Sequence, residues 1–278
     1  MRFYPTPQGE LLPSVTTILD ATMPTKARAA IQKWSAREKE AGRTGEEARD
    51  RGTAVHGLRE SYILGQPITK DFIQSTGYPE DTIALFRNLY PHLAGWDLNQ
   101  HMWCEKPVGL WVDTHKHLTY FDKKMGYVRG RLYSSSLSYA GCPDDVGLFN
   151  GKLTLSDLKT SKRLYYRDKP QYPGKYWYAK KREGDADAIA ICNDYQEKNS
   201  GWHSFFKCSM QLVAYRKLAE GCLGIEIEQL MIQVAAPERA QLFILTPQEV
   251  AAAELEWEER LSKYLSKHYY KQLEQALA

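Results

Sequence analysis

Long apolar runs and clustered cysteines are both missing from this 278-residue chain. No segment has the roughly 18 consecutive apolar residues that a membrane-spanning helix needs. The opening MRFYPTP lacks the apolar segment of a signal peptide and the Arg-rich amphipathic pattern of a transit peptide. The five cysteines lie far apart and form no C-x-x-C pair, which argues against a zinc knuckle or a disulfide framework. We therefore expect a cytoplasmic protein in a reducing compartment, without a membrane partner.

A strong net charge is missing as well, because the formal charge at pH 7 is only +3. The charge is nevertheless unevenly distributed. Residues 152–182 contain ten basic and two acidic side chains, so this segment carries +8 and the remaining 247 residues sum to −5. Six aromatic residues lie among the basic ones in the same segment.

Cations next to aromatic rings are typical of proteins that bind single-stranded nucleic acid, because the cations meet phosphates and the bases stack on the rings. The alternative is a solvated basic loop whose tyrosines pack locally. On the first interpretation, the residues predicted to contact DNA are Lys162, Arg163, Tyr165, Tyr166, Arg167, Lys180, Lys181 and Arg182.

The hydrophobic pattern predicts a mixed α/β fold. Helical periodicity predicts helices over residues 26–40, 46–64, 79–90, 204–221 and 247–278. Short β-rich segments predict strands over residues 102–112, 118–121, 127–133, 145–149, 153–158, 186–192, 225–234 and 242–245. Asn150 and Gly151 form a strong hairpin signal between two of these strands. We therefore expect a central mixed sheet flanked by helices, with an N-terminal helical elaboration.

We predict a single domain over residues 1–278, made of four consecutive parts. They are an N-terminal helical part (1–98), a β-rich meander (99–162), a basic aromatic segment (163–203) and a C-terminal helix–strand–helix part (204–278). The meander contains the residues with the clearest chemical pattern.

Two aspartates and a lysine flank the predicted hairpin. Asp144 precedes the first arm, and Asp157 and Lys159 end the second. Paired arms of this length bring the two carboxylates together, and two carboxylates at one sheet edge form a hard oxygen site suited to Mg²⁺ or Mn²⁺. Asp157 and Lys159 are two residues apart, so both side chains leave the same face of the strand. Metal-assisted phosphodiester hydrolysis requires such an arrangement.

The order of motifs resembles that of a known nuclease family. The segments Tyr139-Ala-Gly-x-x-Asp144 and Asp157-Leu-Lys-Thr160 resemble the core of the PD-(D/E)xK nuclease superfamily in its RecB-type exonuclease branch. Gly52-x-x-x-His56 and Gln211-x-x-x-Tyr215 resemble two helix motifs of that branch. The segment Pro13-Ser-Val-Thr-Thr-Ile-Leu19 is similar to the subset that includes the mitochondrial genome maintenance exonuclease and its bacterial and phage relatives. Relative to this pattern, the basic aromatic segment is an insertion.

The resemblance implies a metal site with a neighbouring cation. Asp144 and Asp157 would bind one or two ions of Mg²⁺ or Mn²⁺, with the Leu158 carbonyl as a backbone ligand. His56 would be a further ligand, although by spacing alone it is equally well an ordinary helix residue. Lys159 would stabilise charge or position the attacking water. Some members of the branch hold an iron–sulfur cluster, which we do not expect here because the cysteines are not grouped.

The resemblance also implies a role for a downstream helix. Gln211 and Tyr215 share one helix face at i, i+4 spacing and would line the catalytic cleft. The alternative from the residues themselves is an ordinary buried polar pair.

Together these features predict a metal-dependent exonuclease that acts on linear DNA, single-stranded or with single-stranded ends, in DNA repair, recombination, replication or phage DNA metabolism. One alternative is a structure-specific or sequence-specific endonuclease on the same fold. Another is a non-catalytic single-stranded nucleic-acid-binding protein. A complete Asp, Asp, Lys set favours an enzyme, whereas fold does not separate an exonuclease from an endonuclease. The resemblance further implies a bacterial or phage-encoded protein.

Overall fold

A computed structural model describes residues 2–6, 9–40, 45–104, 106–107, 119–122, 127–130 and 132–277. The helices are α1 (Val15–Ala21), α2 (Thr25–Glu40), α3 (Gly45–Ile63), α4 (Lys70–Ser75), α5 (Glu80–Leu89), α6 (Lys175–Arg182), α7 (Ala186–Leu223) and α8 (Pro247–Leu277), with a 3-10 helix over Tyr90–Gly95. The strands are β1 (Phe3–Pro5), β2 (Leu11–Pro13), β3 (Trp96–Cys104), β4 (Lys106–Pro107), β5 (Thr119–Asp122), β6 (Tyr127–Gly130), β7 (Leu132–Ser134), β8 (Tyr139–Gly141), β9 (Asp145–Phe149), β10 (Lys152–Thr160), β11 (Gln229–Ala235) and β12 (Ala240–Ile244).

Six of these strands form one mixed sheet in the order β12-β11-β10-β9-β3-β4. β10 and β11 run parallel, and the other neighbouring pairs are antiparallel. Short two-stranded sheets pair β1 with β2, β5 with β6 and β7 with β8. The predicted mixed α/β class, with a central mixed sheet flanked by helices, is confirmed.

β9 and β10 form the predicted hairpin. The turn residues Asn150 and Gly151 have φ values of 49° and 77°. A type I′ turn needs positive φ at both central positions, which Asn and Gly adopt at low cost. The resulting register places Asp145 directly opposite Ser156, and it fixes where the residues next to this pair lie.

Helices cover both faces of the sheet because β10 has buried apolar residues on both. Leu155 belongs to a core shared with α7 and α8, in which Trp257 is fully buried. Leu158 belongs to a second core shared with α3 and α5, in which Phe86 is also buried. Burying one large apolar side chain contributes about 1.5–3 kcal/mol. These two layers hold α3 and α7 against opposite faces of the strand that carries Asp157 and Lys159.

The segment 186–192 is helical, so the strand predicted there is wrong. Asp185 caps α7, because its carboxylate accepts a hydrogen bond from the Ala188 N–H at 2.8 Å. Ala188 and Cys192 are fully buried, whereas Ile189 and Ile191 are 36% and 37% exposed. Burial at i and i+4 is the period of a helix. A short apolar run does not by itself reveal which period it follows.

The other predictions agree with the structure more closely. The helices predicted over 26–40, 46–64, 79–90 and 247–278 correspond to α2, α3, α5 and α8, with ends that differ by a residue or two. The helix predicted from residue 204 is the second half of α7, which crosses that position without a break. The strand predicted over 102–112 begins earlier, in β3, and residues 105 and 108–112 lie outside the described part of the chain.

Candidate active site

The two predicted acidic ligands lie together beside the β9–β10 hairpin. Asp144 comes immediately before β9, and its Oδ2 accepts a hydrogen bond from the Leu158 N–H at 2.6 Å. Asp157 precedes Leu158 in β10 and is 2% exposed, against 9% for Asp144. Carboxylates are rarely buried unless they are paired or hydrogen-bonded. The hairpin therefore carries a polar site within a largely apolar sheet.

Lys159 supplies the positive charge of this site. Its Nζ forms an ion pair with Asp157 Oδ2, on the strand face that the i, i+2 spacing predicted. Burial lowers the pKa of the Lys159 ammonium, but neighbouring groups, first among them the Asp157 carboxylate, outweigh this effect and raise the pKa well above its ordinary value. Lys159 is therefore a cation at neutral pH. It is suited to stabilising negative charge and not to accepting a proton.

Helix α7 contributes Gln211 and Tyr215 to the site, as predicted. Gln211 Nε2 donates to Asp157 Oδ1 at 3.2 Å and to the Tyr215 hydroxyl at 2.9 Å. Burial, followed by the Asp157 carboxylate, raises the pKa of Tyr215 well above its ordinary value, so the phenol stays neutral. Gly141 in β8 permits this approach, because a Cβ atom there would overlap the Tyr215 ring.

His56 enters the site from α3, which packs on the opposite face of the sheet from α7. His56 Nδ1 lies 3.7 Å from Asp144 Oδ2. Gly52, one turn earlier, lets the helix approach the end of β10, since a Cβ atom there would lie 3.3 Å from Thr160 Oγ1. The Gly-x-x-x-His spacing thus has a packing reason. The structure brings together every residue predicted as catalytic or metal-binding.

Two buried residues near Lys159 were missed by the sequence analysis as parts of this site. Burial raises the pKa of the Cys208 thiol to about 12, although the Lys159 ammonium opposes the rise. Burial also raises the pKa of the Tyr165 hydroxyl. Both groups are therefore neutral at physiological pH. Cys208 lies one helical turn before Gln211, and this i, i+3 spacing is the sequence signal that would have placed it here.

Tyr165 was also predicted to contact DNA, but the residue is buried. The residue is 8% exposed and belongs to the core shared by α7 and α8. Its backbone N–H donates to Gln241 Oε1 at 2.8 Å, and its carbonyl accepts from Gln241 Nε2 at 3.0 Å. A residue this buried offers little ring surface on which a base could stack, and a DNA contact by Tyr165 stays a prediction. The tyrosine was assigned to a solvent-exposed strip because its neighbours in sequence are charged.

Tyr166 and Arg167 have structural contacts that the sequence analysis did not predict. Arg167 Nη1 donates to both carboxylate oxygens of Glu249, at 2.8 and 2.6 Å, and Nη2 donates to the Ile244 carbonyl at 2.7 Å. The Tyr166 ring packs on α7 at Gly201, where a Cβ atom would lie 2.6 Å from ring carbon Cδ2. These contacts fix the chain after β10, and a DNA contact by either residue stays a prediction.

The other predicted cations form two separate groups. Lys162 and Arg163 directly follow β10 and are exposed. The range Lys180–Arg182 lies on α6, where its first lysine pairs with Glu183 at 2.8 Å and its second donates to Asn193 Oδ1 at 2.6 Å. At a rise of about 1.5 Å per residue, the 18 residues between that asparagine and Gln211 correspond to about 27 Å along α7. The α6 cations therefore lie far from Gln211 along α7.

The donor set of the site fits a hard divalent cation. Mg²⁺ is commonly held by one or two carboxylates together with waters and substrate phosphates, and Asp144 and Asp157 offer those carboxylates. Within the described ranges, no group of three or more His, Cys, Asp or Glu side chains has a metal-binding arrangement. Further ligands would therefore come from the Leu158 carbonyl, water or phosphate, and the His56 imidazole would favour Mn²⁺ modestly.

Comparison with known proteins does not assign a family. No protein-family model matches the chain, and no curated protein matches it significantly. None of the helices in the described part of the chain combines the length and the apolar character needed to cross a bilayer. The chemistry of the site is therefore the basis for a function.

Proposed function

We propose that the protein is a metal-dependent deoxyribonuclease that degrades linear, single-stranded DNA from an end. The observation that supports this proposal is the convergence of Asp144, Asp157 and Lys159 at the end of the hairpin away from its turn. Two carboxylates and a cation that stays charged at neutral pH are what hydrolysis of an anionic phosphodiester needs. The proposed PD-(D/E)xK fold and the exonucleolytic mode draw support from the motif resemblance alone.

The residues of the site would have different roles in the reaction. Asp144 and Asp157 would hold Mg²⁺ or Mn²⁺, which when bound supplies Lewis-acid activation of the phosphate and of water. The Lys159 ammonium would stabilise the negative charge that develops on the phosphate oxygens. Gln211 would keep the Asp157 carboxylate oriented, since its amide donates to Asp157 Oδ1 and is itself fixed by Tyr215.

The test is a cleavage assay on end-labelled linear and circular single-stranded DNA, with Mn²⁺ and with EDTA. We expect cleavage of linear DNA with Mn²⁺, none with EDTA, and little cleavage of circles. Lys159→Ala should lower kcat by about 10²–10³-fold, as loss of a charge-stabilising group does, while DNA binding by gel shift stays largely intact.

Lys207→Ala is the matched control, because Lys207 also pairs with an aspartate, Asp20 at 2.8 Å, but at the surface of α7. It should cleave like the wild type. Normal cleavage by Lys159→Ala would contradict the assignment of the site. Circles cut as fast as linear DNA would replace the exonuclease with an endonuclease, and DNA binding without any cleavage would favour a non-catalytic binding protein.

A further inference from the structure

A buried charged network lies immediately next to both candidate acidic ligands. Arg59, Asp145 and Ser156 are each 0–1% exposed. Arg59 Nη2 forms an ion pair with Asp145 Oδ2 and donates to Ser156 Oγ at 3.0 Å. Ser156 Oγ in turn donates to Asp145 Oδ2 at 3.0 Å. The three side chains form a closed triangle of polar contacts, and the motif resemblance gave none of them a role.

The network connects three elements, because Arg59 lies in α3, Asp145 in β9 and Ser156 in β10. Asp145 and Ser156 are directly opposite each other in the β9–β10 register. Asp144 is the residue before the first of them, and Asp157 is the residue after the second. Because successive residues of a strand point to opposite faces, Ser156 turns away from the face that carries Asp157. Arg59 therefore contacts the side chains of the two residues that adjoin the candidate acidic ligands, Asp145 and Ser156.

The same arginine also fixes the helix that carries the histidine. Arg59 lies three residues after His56 in α3, which is less than one helical turn. Its contacts with β9 and β10 set the distance and rotation of α3 relative to the hairpin. His56 Nδ1 and Asp144 Oδ2 are 3.7 Å apart across this contact. A shift of the helix would therefore change the geometry of the site directly.

Stability alone is a weak reason for such a network. Removing two charges from water costs several kcal/mol per ion, and a buried ion pair is often no more stabilising than apolar residues of similar volume. The network is also incompletely satisfied, since Arg59 Nε has no hydrogen-bond partner within the described part of the chain. What the planar guanidinium provides in particular is a fixed geometry.

We infer that Arg59 is a positioning residue of the active site, which holds Asp144, Asp157 and His56 in the arrangement that binds the divalent cation. This inference rests on the proposed function. The arginine acts through Asp145 and Ser156 and does not itself touch the substrate. Partners of this kind behind metal ligands typically change metal affinity or activity by about 10–100-fold when they are removed.

The test compares the wild type with a triple variant, Arg59→Met with Asp145→Leu and Ser156→Ala, which replaces the whole network with apolar side chains. Removing the three polar side chains together leaves none of them buried without its contacts in the network, so the midpoint of thermal unfolding should stay near that of the wild type. We expect kcat on linear DNA to fall, and the Kd for Mn²⁺ from EPR titration to rise, by about 10–100-fold. KM for DNA should not change.

Two further variants complete the design. Arg59→Lys keeps the charge but loses the planar fork, and it should show a smaller loss in the same two measurements. If the triple variant does not fold, Arg59→Lys alone tests the inference. Arg87→Met is the control, because Arg87 forms an exposed ion pair with Glu80 at 3.2 Å on α5, where both side chains are more than 60% exposed. It should match the wild type.

The outcomes separate this inference from the proposed function. A folded triple variant with wild-type kcat and Mn²⁺ affinity would overturn the positioning role but not the proposed nuclease function. If the triple variant does not fold, wild-type values for Arg59→Lys would have the same meaning. A wild type that binds Mn²⁺ but cleaves no DNA would end the proposed function, and the Mn²⁺ affinities of the variants would then decide the positioning role. A wild type that neither cleaves DNA nor binds Mn²⁺ would overturn both.

Discussion

At the scale of single residues, the contacts of Asp157 show which parts of the site can be predicted from spacing along the chain and which cannot. Lys159 is two positions away on the same strand face, so their ion pair follows from the period of a strand. The contact with Gln211 joins residues 54 positions apart, and the motif resemblance implied only that Gln211 lines the catalytic cleft. Arg59, whose partner Ser156 is 97 positions away, was missed because a buried arginine in a strongly polar helix has no distinguishing pattern.

The close approach of β8 to α7 gives a prediction at this scale. Gly141→Ala should destabilise the protein by about 1–3 kcal/mol, because the new methyl group would overlap the Tyr215 ring and meet Leu218 Cδ1 at 3.3 Å. Cleavage should fall as well, since displacing Tyr215 releases Gln211. Urea unfolding and the cleavage assay measure the two effects.

Gly221→Ala is the matched control on α7, because a Cβ atom at that position meets nothing within 4 Å. It should raise stability by about 0.5–1 kcal/mol through better helix propensity. Equal effects of the two substitutions would show that the close approach of Gly141 has no role in the site.

At the scale of elements, α7 is the largest difference between prediction and structure. Its second half packs on the sheet and has a clear helical period, so a helix from residue 204 was predicted. Its first half packs against α6 and buries few residues, among them Ala188 and Cys192, so the periodic signal there is weak. The four-residue spacing of these two was present in the sequence but was outweighed by the short apolar run around them.

The segment after β10 gives a prediction at this scale, because it is held to α8 by one side chain. Arg167→Met should lower the free energy of unfolding by about 1–3 kcal/mol, since it removes charge-assisted hydrogen bonds to Glu249 and a bond to the Ile244 carbonyl. The α8 cap should survive, because Thr246 N–H still donates to Glu249. Urea unfolding measures the loss.

Lys180→Met is the control for that substitution, because its ion pair with Glu183 is solvent-exposed at i, i+3 spacing. Such pairs contribute about 0.2–1 kcal/mol or less. If Arg167→Met were no more destabilising than Lys180→Met, the segment would owe its position to its other contacts, which include the burial of Tyr165 and the packing of Tyr166 on α7.

At the scale of the whole molecule, basic residues that are close together in the sequence lie in separate places in the structure. Basic residues of the segment 152–182 form ion pairs with Asp157, Glu249 and Glu183. Two of these partners come from outside the segment, so its net charge in sequence does not describe the surface that DNA would meet. Lys162 and Arg163 next to β10 and Arg182 on α6 are exposed.

The α6 cations give a prediction at this scale. The double substitution Lys181→Ala with Arg182→Ala should weaken binding of a long single-stranded oligonucleotide, because it removes two charges that can meet phosphates. The slope of log K against log salt should fall in magnitude by about 1.4, at about 0.7 per phosphate contact on a single strand. Fluorescence anisotropy across a salt series measures both.

Lys263→Ala with Lys267→Ala removes the same charge from exposed positions of α8 and is the control. It should leave the slope near that of the wild type. If both double substitutions changed the slope equally, the effect would come from net charge, and α6 would have no specific part in binding.

Under the proposed nuclease function, the length of α7 also bears on the products of digestion. A strand that contacts both the active site and α6 would span about 27 Å along α7, which is the length of several nucleotides. A strand trimmed below that size keeps its contacts at the hairpin but no longer reaches the distant cations. Digestion should therefore slow as the substrate approaches this length, and short oligonucleotides of similar size should accumulate as the final product.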